Sequence, residues 1–423
     1  MKLLHLSDLH FGKTLFAQPL IADQQDWCAK LYDAVRREKP DAVLIAGDVY
    51  DRGVPSREAV QLLSRLLTDL SQPDETIDWA GVDVLLIAGN HDGGERLEFA
   101  ANILENQRVH IAGTVQEAVK KIRLGDVNFW LLPCTTPAAV RVALNRSDEE
   151  ISSYSDAIAA LLAEQEINWN ERNVLIAHQT VVNGKADPLH GASETAIGGV
   201  GGVQASLFQN FDYVALGHIH QAQAVGSPKI RYSGAPLCYH FDEADDEKGL
   251  LWVTLGKKGS EPVFKTEALP PLHRVRRTVK GRLQQIVDAE ADNPARGDYV
   301  RVVLTDDTLP PNARQTLETL YASHADILLD VSRERRSAAY RAASAAAEAE
   351  TRSLADDFRA FCRSRGDGLT DPGERELALI RFLAEQVENR RDADEETLTA
   401  ELVEEALRLA RADSGEAGKE AAQ

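Results

Sequence analysis

The sequence of 423 residues has few cysteines and no long apolar run, and each shortage excludes a class of protein. The cysteines are Cys28, Cys134, Cys238 and Cys362, and no two of them form a C-x-x-C pair. Thiols scattered in this way argue against a disulfide framework and against a structural zinc cage. No window approaches 18 uninterrupted apolar residues, the length that a membrane span needs. The opening residues, M-K-L-L-H-L-S-D-L-H, carry an acid and histidines and do not fit a signal peptide, so we expect a cytoplasmic protein.

Positive charge is also scarce in this chain. Lys and Arg number 47 against 67 Asp and Glu, and the formal net charge is −20. This balance argues against a protein that coats nucleic acid through bulk charge alone. A locally positive site remains open, above all one whose charge comes from bound metal ions.

Apolar runs alternate with amphipathic segments over the first half of the chain. The spacing of apolar positions predicts helices at residues 20–38 and 56–70. Buried strands are predicted at residues 2–7, 41–46, 83–88, 173–177 and 212–216. This alternation is typical of a layered α/β domain. Short strand-like runs between residues 230 and 267 predict a second sheet packed on the first, so we expect a two-sheet sandwich flanked by helices.

The sequence pattern changes twice after this sandwich. Pro270 and Pro271 mark a boundary, and residues 272–331 follow a β-α-β-α-β order. From about residue 334, Ala, Glu, Arg and Leu dominate and favour helices near 335–364, 373–389 and 395–412. The predicted organisation is an α/β domain at 1–269, a small α+β capping domain at 270–333, a helical region at 334–412 and a disordered tail at 413–423.

Polar side chains follow the predicted strands at the point where each strand ends. They are Asp8 and His10, Asp48 with Asp51 nearby, Asn90, His91 and Asp92, His178, and His218 and His220. Because the ligands of an α/β sheet bind outside the carboxyl ends of its strands, we expect these side chains to converge on one rim.

The chemistry of this set favours a site for divalent metal ions. Carboxylate and imidazole together suit Mn²⁺, Fe²⁺ or Zn²⁺. In an extended segment, residues two apart project to one side, as Asp8 and His10 would, and His218 and His220. The glycines before Asp48, Asn90 and His218 let the backbone approach an ion closely. The set exceeds the needs of one ion and suits two ions that share a carboxylate, about 3.5–4 Å apart.

Each motif alone has a plainer explanation. D-x-H can be a strand followed by a capping Asp, and Gly-Asp and G-N-H-D are common turn chemistry. A lone His178 can be a hydrogen-bonded core histidine, whereas the G-H-x-H pair favours a functional site. The ordered series, with every part placed after a buried strand, makes the metal site the stronger interpretation.

At this point the sequence resembles a known family. The series D-L-H, G-D-V-Y-D, G-N-H-D, A-H and G-H-I-H is similar to the motifs of the calcineurin-like metallophosphoesterases. H-L-S-D-L-H-F-G-K and F-D-Y-V-A-L-G-H-I-H-Q-A-Q, followed by R-Y-S-G-A-P and F-D-E, resemble the members that are nuclease subunits of bacterial DNA-repair complexes. The resemblance is specific over residues 1–260 and architectural over residues 270–423.

The resemblance implies a set of metal ligands in a two-sheet metallophosphoesterase sandwich. One Mn²⁺ would be held by Asp8, His10 and His220. The second would be held by Asn90, His178 and His218. Asp48 would bridge both ions, and a water activated by the ions would attack a phosphodiester.

The resemblance also implies roles for the residues beside these ligands. His91 would be the acid that protonates the leaving oxygen or steadies the phosphate. Asp92 would orient His91. Some relatives carry histidine where this chain has Asp51, and a structural role or an orienting role for Asp51 stays open.

The implied activity is that of a 3′-to-5′ exonuclease on double-stranded DNA and an endonuclease at hairpins and blocked ends. The implied partner is a coiled-coil ATPase, bound through the C-terminal helices in a heterotetramer that contains a homodimer of the nuclease. Apolar stripes that include Leu377, Ile380, Leu398 and Leu402 fit such docking, or an internal bundle. Basic residues of the small domain could contact the DNA backbone or form a solvated strand face, and they are Arg274, Arg276, Arg277, Lys280 and Arg282.

Two other functions compete with the DNA nuclease. A small-molecule or nucleotide phosphoesterase could use the same scaffold, although such enzymes usually lack the appended small domain and helices. A scaffold that has lost catalysis would have a broken ligand set, whereas this chain retains every ligand and His91.

Overall fold

A computed structural model of the chain describes residues 1–184, 202–275, 277–291, 297–306, 308 and 310–334. The chain divides into two units, and the described residues all belong to the first, Met1–Glu334, which is compact. The helices predicted beyond residue 334, the predicted tail at 413–423 and Arg276 lie outside the described residues. Within the described part, no helix combines the length and apolarity needed to cross a membrane.

The described residues contain many short strands. In chain order they are β1 (Lys2–Leu6), β2 (Thr14–Leu15), β3 (Gln18–Pro19), β4 (Ala42–Ala46), β5 (Asp83–Ile87), β6 (Val109–Ala112), β7 (Lys120–Leu124), β8 (Val127–Leu132), β9 (Arg172–His178), β10 (Val181–Val182), β11 (Val203–Gln204), β12 (Tyr213–Gly217), β13 (Gln223–Val225), β14 (Ser227–Tyr232), β15 (Gly249–Thr254), β16 (Val263–Ala268), β17 (Val279–Gly281), β18 (Tyr299–Leu304) and β19 (Ile327–Arg333).

The α-helices lie between these strands. In chain order they are α1 (Ile21–Glu38), α2 (Arg57–Ser71), α3 (Gly94–Leu97), α4 (Ala101–Leu104), α5 (Pro137–Leu144), α6 (Tyr154–Ala163), α7 (Leu283–Glu290) and α8 (Ala313–Ser323). Ser56 caps α2 by accepting a hydrogen bond from the Ala59 amide, as its place before the apolar spacing predicts.

Two six-stranded sheets form a sandwich, which confirms the predicted fold class. The first has the order β16-β15-β1-β4-β5-β6, and the second has the order β13-β14-β12-β9-β8-β7. One buried cluster draws side chains from both sheets, among them Leu44, Leu85, Phe129 and Ile176. The central strands are covered on both faces, which is why they appear in the sequence as continuous apolar runs.

The runs after residue 230 are divided between the sheets, which corrects the expectation that they complete the second one. β14 pairs with β12 in the second sheet, but β15 pairs antiparallel with β1 in the first. β4 occupies only one edge of β1, so the other edge can pair with β15. Pairing of this kind removes an exposed strand edge.

The small sheet has the order β17-β18-β19, and its strands are parallel. Helices α7 and α8 connect them, as the predicted β-α-β-α-β order requires. The sheet is joined to α1 through Asp23, a buried residue. Its carboxylate accepts hydrogen bonds from the Tyr299 hydroxyl at 2.8 Å and from the His273 amide at 3.1 Å.

Candidate metal centre

The predicted site residues meet where the carboxyl ends of both sheets reach the same edge of the sandwich. In the first sheet, β1, β4 and β5 run parallel, and Asp8, Asp48 and Asn90 follow them. In the second sheet, His178 ends β9 and His218 directly follows its parallel neighbour β12. The rim that the sequence predicts is therefore shared by two sheets.

The backbone at this edge adopts a conformation that side chains rarely tolerate. Asp8, His10, Asp48 and His218 have φ angles of 55°, 44°, 48° and 104°. Each residue is held there by its surroundings; for example, the His10 amide donates to the Asp48 carbonyl at 2.9 Å. Strained backbone of this kind is concentrated at functional sites.

Asp8, His10 and His220 form one group of side chains. All three are buried, and their ligand atoms lie within 4.8 Å of one another. The Nε2 atoms of His10 and His220 are 3.2 Å apart. Two imidazoles and a carboxylate that point at one spot are a donor set for a divalent ion.

Asn90, His178 and His218 form a second group. The Asn90 Oδ1 atom is 3.0 Å from His178 Nε2 and 3.0 Å from His218 Nδ1. The other ring nitrogen of His178 donates to the Ala46 carbonyl at 2.8 Å, which turns Nε2 towards the site.

Asp48 lies between the two groups. Its Oδ2 atom is 3.4 Å from His178 Nε2 and 3.6 Å from His10 Nε2. Its Oδ1 atom accepts a hydrogen bond from the His91 amide at 2.8 Å. One carboxylate therefore contacts a histidine of each group, which is the position that a bridging ligand would take.

The electrostatics of the site are dominated by burial and by Asp48. Burial lowers the pKa of His178, but the Asp48 carboxylate outweighs this effect and the pKa rises to about 9. Burial and the nearby His178 lower the pKa of His218 to about 4. Burial opposes ionisation of Asp48, yet the charge of His178 holds its pKa well below the usual range.

The packing around these groups suits a bound cation. A Cβ at Gly47 would overlap the His178 ring, and a Cβ at Gly89 would overlap the Asp48 carboxylate. The chain therefore keeps glycine where the two sheets approach the ligand atoms most closely. Oxygen and imidazole donors packed so closely, with no thiolate in either group, fit divalent metal ions.

His91 stands at the open side of the site and is exposed, as is Asn90. Its Nδ1 atom lies 3.0 Å from the Asp51 carbonyl oxygen. The Asp51 carboxylate accepts a hydrogen bond from Lys13 at 2.7 Å and lies 3.6 Å from His10 Nδ1. Asp51 thus contacts His91 through its backbone and His10 through its side chain.

Asp92 makes different contacts from those that the sequence implies. Its carboxylate accepts hydrogen bonds from the amides of Val49, Tyr50 and Gly89 at 2.8–3.1 Å. Among the described residues, no hydrogen bond joins the Asp92 and His91 side chains. Asp92 therefore fixes the two loops that carry Asp48 and Asn90, because the first amides after these strands need an acceptor.

Sequence reasoning missed buried polar residues that hold the ligand loops. The Gln24 side-chain amide donates to the His10 carbonyl at 2.8 Å and accepts from the Gly12 amide at 3.0 Å. Tyr239 hydrogen-bonds the Leu9 carbonyl, and Glu243 contacts His220. The F-D-E motif that contains Glu243 is recognisable only by resemblance. Gln24 lies three, four and seven residues before Trp27, Cys28 and Leu31, so a polar residue on the apolar face of α1 was the signal that could have found it.

Two basic residues of the small domain pair with acidic residues that are not part of this centre. Arg277 pairs with Asp245 at 2.7 Å, and Lys280 pairs with Glu334 at 2.6 Å. Both pairs are exposed. The role of this basic group towards DNA stays a prediction.

Comparisons with known proteins agree with the fold. Residues 1–222 match the calcineurin-like phosphoesterase family, and residues 270–365 match the type 5 capsule protein repressor C-terminal domain, SbcD_C. The chain is a metal-dependent phosphoesterase of the calcineurin-like class. It is 30% identical over 328 residues to SbcD, the nuclease subunit of the SbcCD complex, of Staphylococcus epidermidis, a match that covers 76% of this chain and 83% of that protein. The chain belongs to the SbcD family of nuclease subunits.

Two solved structures match this chain over most of their own length. A dimetal phosphatase from Danio rerio is 13% identical, with a TM-score of 0.34, and the match covers 63% of this chain and 98% of that one. GAP50, the anchor in the inner membrane complex of Plasmodium, is 11% identical, with a TM-score of 0.36, over 80% of this chain and 98% of its own. Likeness at this level adds nothing to the assignment, which rests on the sequence matches.

Proposed function

We propose that this protein is a DNA-repair nuclease that works with an SbcC-type coiled-coil ATPase. It would act on double-stranded DNA as a 3′-to-5′ exonuclease and on hairpins and blocked ends as an endonuclease. The family match supports the nuclease class, and the site geometry supports hydrolysis of a phosphodiester.

The observation that carries this proposal is the position of Asp48. One oxygen of its carboxylate faces a histidine of each ligand group, at 3.4 and 3.6 Å. The proposed cofactors are two Mn²⁺ ions, one with Asp8, His10 and His220 and the other with Asn90, His178 and His218. Ions bound there would polarise the phosphodiester and lower the pKa of a water for attack.

His91 is the proposed proton donor to the leaving oxygen. A carbonyl only accepts hydrogen bonds, so the contact with Asp51 places a proton on His91 Nδ1. Nε2 is then the atom that can carry a second proton or give it to a substrate. The exposure of His91 at the rim leaves this atom within reach of a DNA strand.

The net negative charge of this protein opposes binding to the DNA backbone, which is also negatively charged. With a net charge of −20, the protein would rely on its bound ions and on the ATPase for affinity towards DNA.

The proposed docking segment for the ATPase is the C-terminal region, and the proposed assembly is a heterotetramer with a nuclease homodimer. The exposed apolar side chains of Phe99 and Ile103, 82% and 69% exposed, support pairing of two copies.

The test is an assay of the full chain with its ATPase partner, ATP and Mn²⁺ on linear duplex DNA. Degradation of the duplex, with a loss of activity when EDTA is added, is the expected result. Rapid hydrolysis of nucleotides or model phosphodiesters without any cleavage of duplex or hairpin DNA would instead identify a small-molecule phosphoesterase.

A further inference from the structure

Glu243 is a buried carboxylate that has no part in the proposed ligand set or proton transfer. It is 2% exposed and ends the short 3₁₀ turn Phe241–Glu243. Its Oε1 atom is 3.1 Å from His220 Nδ1, and its Oε2 atom is 2.8 Å from Lys248 Nζ. A carboxylate is costly to bury, so this one is kept in place by specific partners.

The contact with Glu243 fixes which nitrogen of His220 faces the ions. A carboxylate only accepts, so the proton of a neutral His220 ring is on Nδ1. Nε2 then carries no proton, and it is the atom that lies 3.2 Å from His10 Nε2. A histidine held in this way presents a ready lone pair to a metal ion.

The equivalent histidine of the other ligand group is oriented differently. His178 Nδ1 donates to the Ala46 carbonyl, which is a neutral acceptor. His220 Nδ1 meets a carboxylate, which raises the basicity of the ring more than a carbonyl does. The two ligand groups therefore differ in the support behind their histidines.

Lys248 completes this arrangement. Its ammonium contacts Glu243 Oε2 and Asp246, and it donates to the His220 carbonyl at 2.9 Å. The segment from Glu243 to Lys248 thus contacts the ring of His220 through Glu243 and its backbone carbonyl through Lys248. The positive charge of Lys248 stabilises Glu243 in its ionised form.

We propose that Glu243 is a positioning residue that selectively strengthens binding of the ion held by Asp8, His10 and His220. This inference rests on the proposed two-ion site. Loss of the carboxylate should lower the affinity for that ion by about 10- to 100-fold, which is the usual effect of removing an acceptor behind a ligating histidine. The ion held by Asn90, His178 and His218 should keep its affinity.

The test uses a matched pair of double variants in the full chain. Glu243→Ala alone would take from the Lys248 ammonium the closer of its two carboxylate partners, in a largely buried place, and could unfold the protein. Glu243→Leu with Lys248→Met removes both charges, whereas Glu243→Gln with Lys248→Met also removes them but keeps an oxygen at Nδ1. Asp242→Asn is the control, because Asp242 is the adjacent carboxylate and its side chain is 51% exposed.

The measurements are calorimetric titration with Mn²⁺ alone and the electron paramagnetic resonance spectrum of the loaded protein. The wild type and Asp242→Asn should bind two ions and give the spectrum of a coupled pair. The Leu/Met variant should keep its affinity for the ion held by Asn90, His178 and His218 and lose affinity for the ion held by Asp8, His10 and His220. Its spectrum should be that of an isolated ion. The Gln/Met variant should recover part of the lost affinity.

Other results would overturn the inference in ways that can be told apart. If the Leu/Met variant binds both ions as the wild type does, or loses both equally, Glu243 has no selective role and the proposed function stands. If the wild type itself binds fewer than two ions, the two-ion premise of the proposed function fails, and this inference fails with it.

Discussion

His91 should be needed for cleavage but not for metal binding. Replacing His91 by Ala should lower the cleavage rate at least about 100-fold, the scale of general acid catalysis. Metal content should stay near two ions, because the His91 amide that bonds Asp48 remains. Both are measured on one preparation, by DNA cleavage and by elemental analysis. A collapse of metal content would mean that His91 is a ligand.

His178 should release a proton when the site takes up metal. Its pKa of about 9 means that the ring is protonated at pH 7.5, whereas His218, with a pKa of about 4, is already neutral. Because an ion must displace the proton from His178 Nε2, about one proton should be released at pH 7.5, and fewer as the pH rises past about 9. Calorimetry in buffers of different ionisation enthalpy measures this number. A value near zero at pH 7.5 would show that His178 is already neutral in the metal-free site and would contradict its raised pKa.

The Asp48 carboxylate is a proposed ligand whose assignment depends on its surroundings more than on its motif. In the sequence, Gly-Asp after a strand is ordinary turn chemistry, and only its place in an ordered series suggests a ligand. In the structure, the same residue is buried, has a φ of 48° and contacts histidines from both sheets. Neither burial nor contacts across two sheets could be predicted from the residue type.

Residues that support the proposed ligands were harder to predict than the proposed ligands themselves. Gln24 and Glu243 act through hydrogen bonds to the loops that carry His10 and His220, and neither is itself a proposed ligand. The expected link from Asp92 to His91 is replaced by bonds to three backbone amides. Such contacts depend on how two loops pack, which one sequence does not encode in any local pattern.

The elements that carry the site were largely predictable, because β1, β4, β5, β9 and β12 are buried on both faces and appear as apolar runs. The missed elements include β7, which is only half-buried, and helix α6. A local signal for α6 was present, since Ser153 and Asp156 form a capping box. The assignment of β15 to the first sheet was not predictable, because its pairing with β1 depends on tertiary contacts between segments far apart in the sequence.

The glycine at the end of β12 should be required for the close approach of the two sheets. A Cβ at Gly217 would overlap the Ala46 carbonyl oxygen and press on the His178 ring. Gly217→Ala should therefore lower the free energy of unfolding by about 1–3 kcal/mol, as overpacking does, and weaken metal binding.

Gly53→Ala is the matched control for this change, because its Cβ would meet its nearest atoms at an ordinary 3.6 Å. Urea denaturation of the metal-free proteins gives the free energy, and titration with Mn²⁺ gives the affinity. Equal stability of the two variants would show that the sheets can separate without cost.

At the scale of the whole molecule, the catalytic sandwich and the small sheet form one compact unit, joined in part through Asp23. The sequence predicted the change of pattern at residue 270, and the SbcD_C match also begins there. The predicted domain limits and the helices beyond residue 334 stay predictions.

Removing residues 370–423 should prevent association with the ATPase partner, because the apolar stripes at Leu377 and Leu398 lie in this segment. Removing only residues 413–423 is the control and should leave association unchanged. Co-purification of the two chains measures the effect. Full association of the longer deletion would place the partner contact elsewhere on the protein.

The central claim is that two divalent ions bind around Asp48, and anomalous diffraction from crystals grown with Mn²⁺ tests it most directly. The account predicts two peaks about 3.5–4 Å apart, with Asp48 between them. One peak should lie beside Asp8, His10 and His220, and the other beside Asn90, His178 and His218. A single peak, or two peaks that do not share Asp48, would contradict the account.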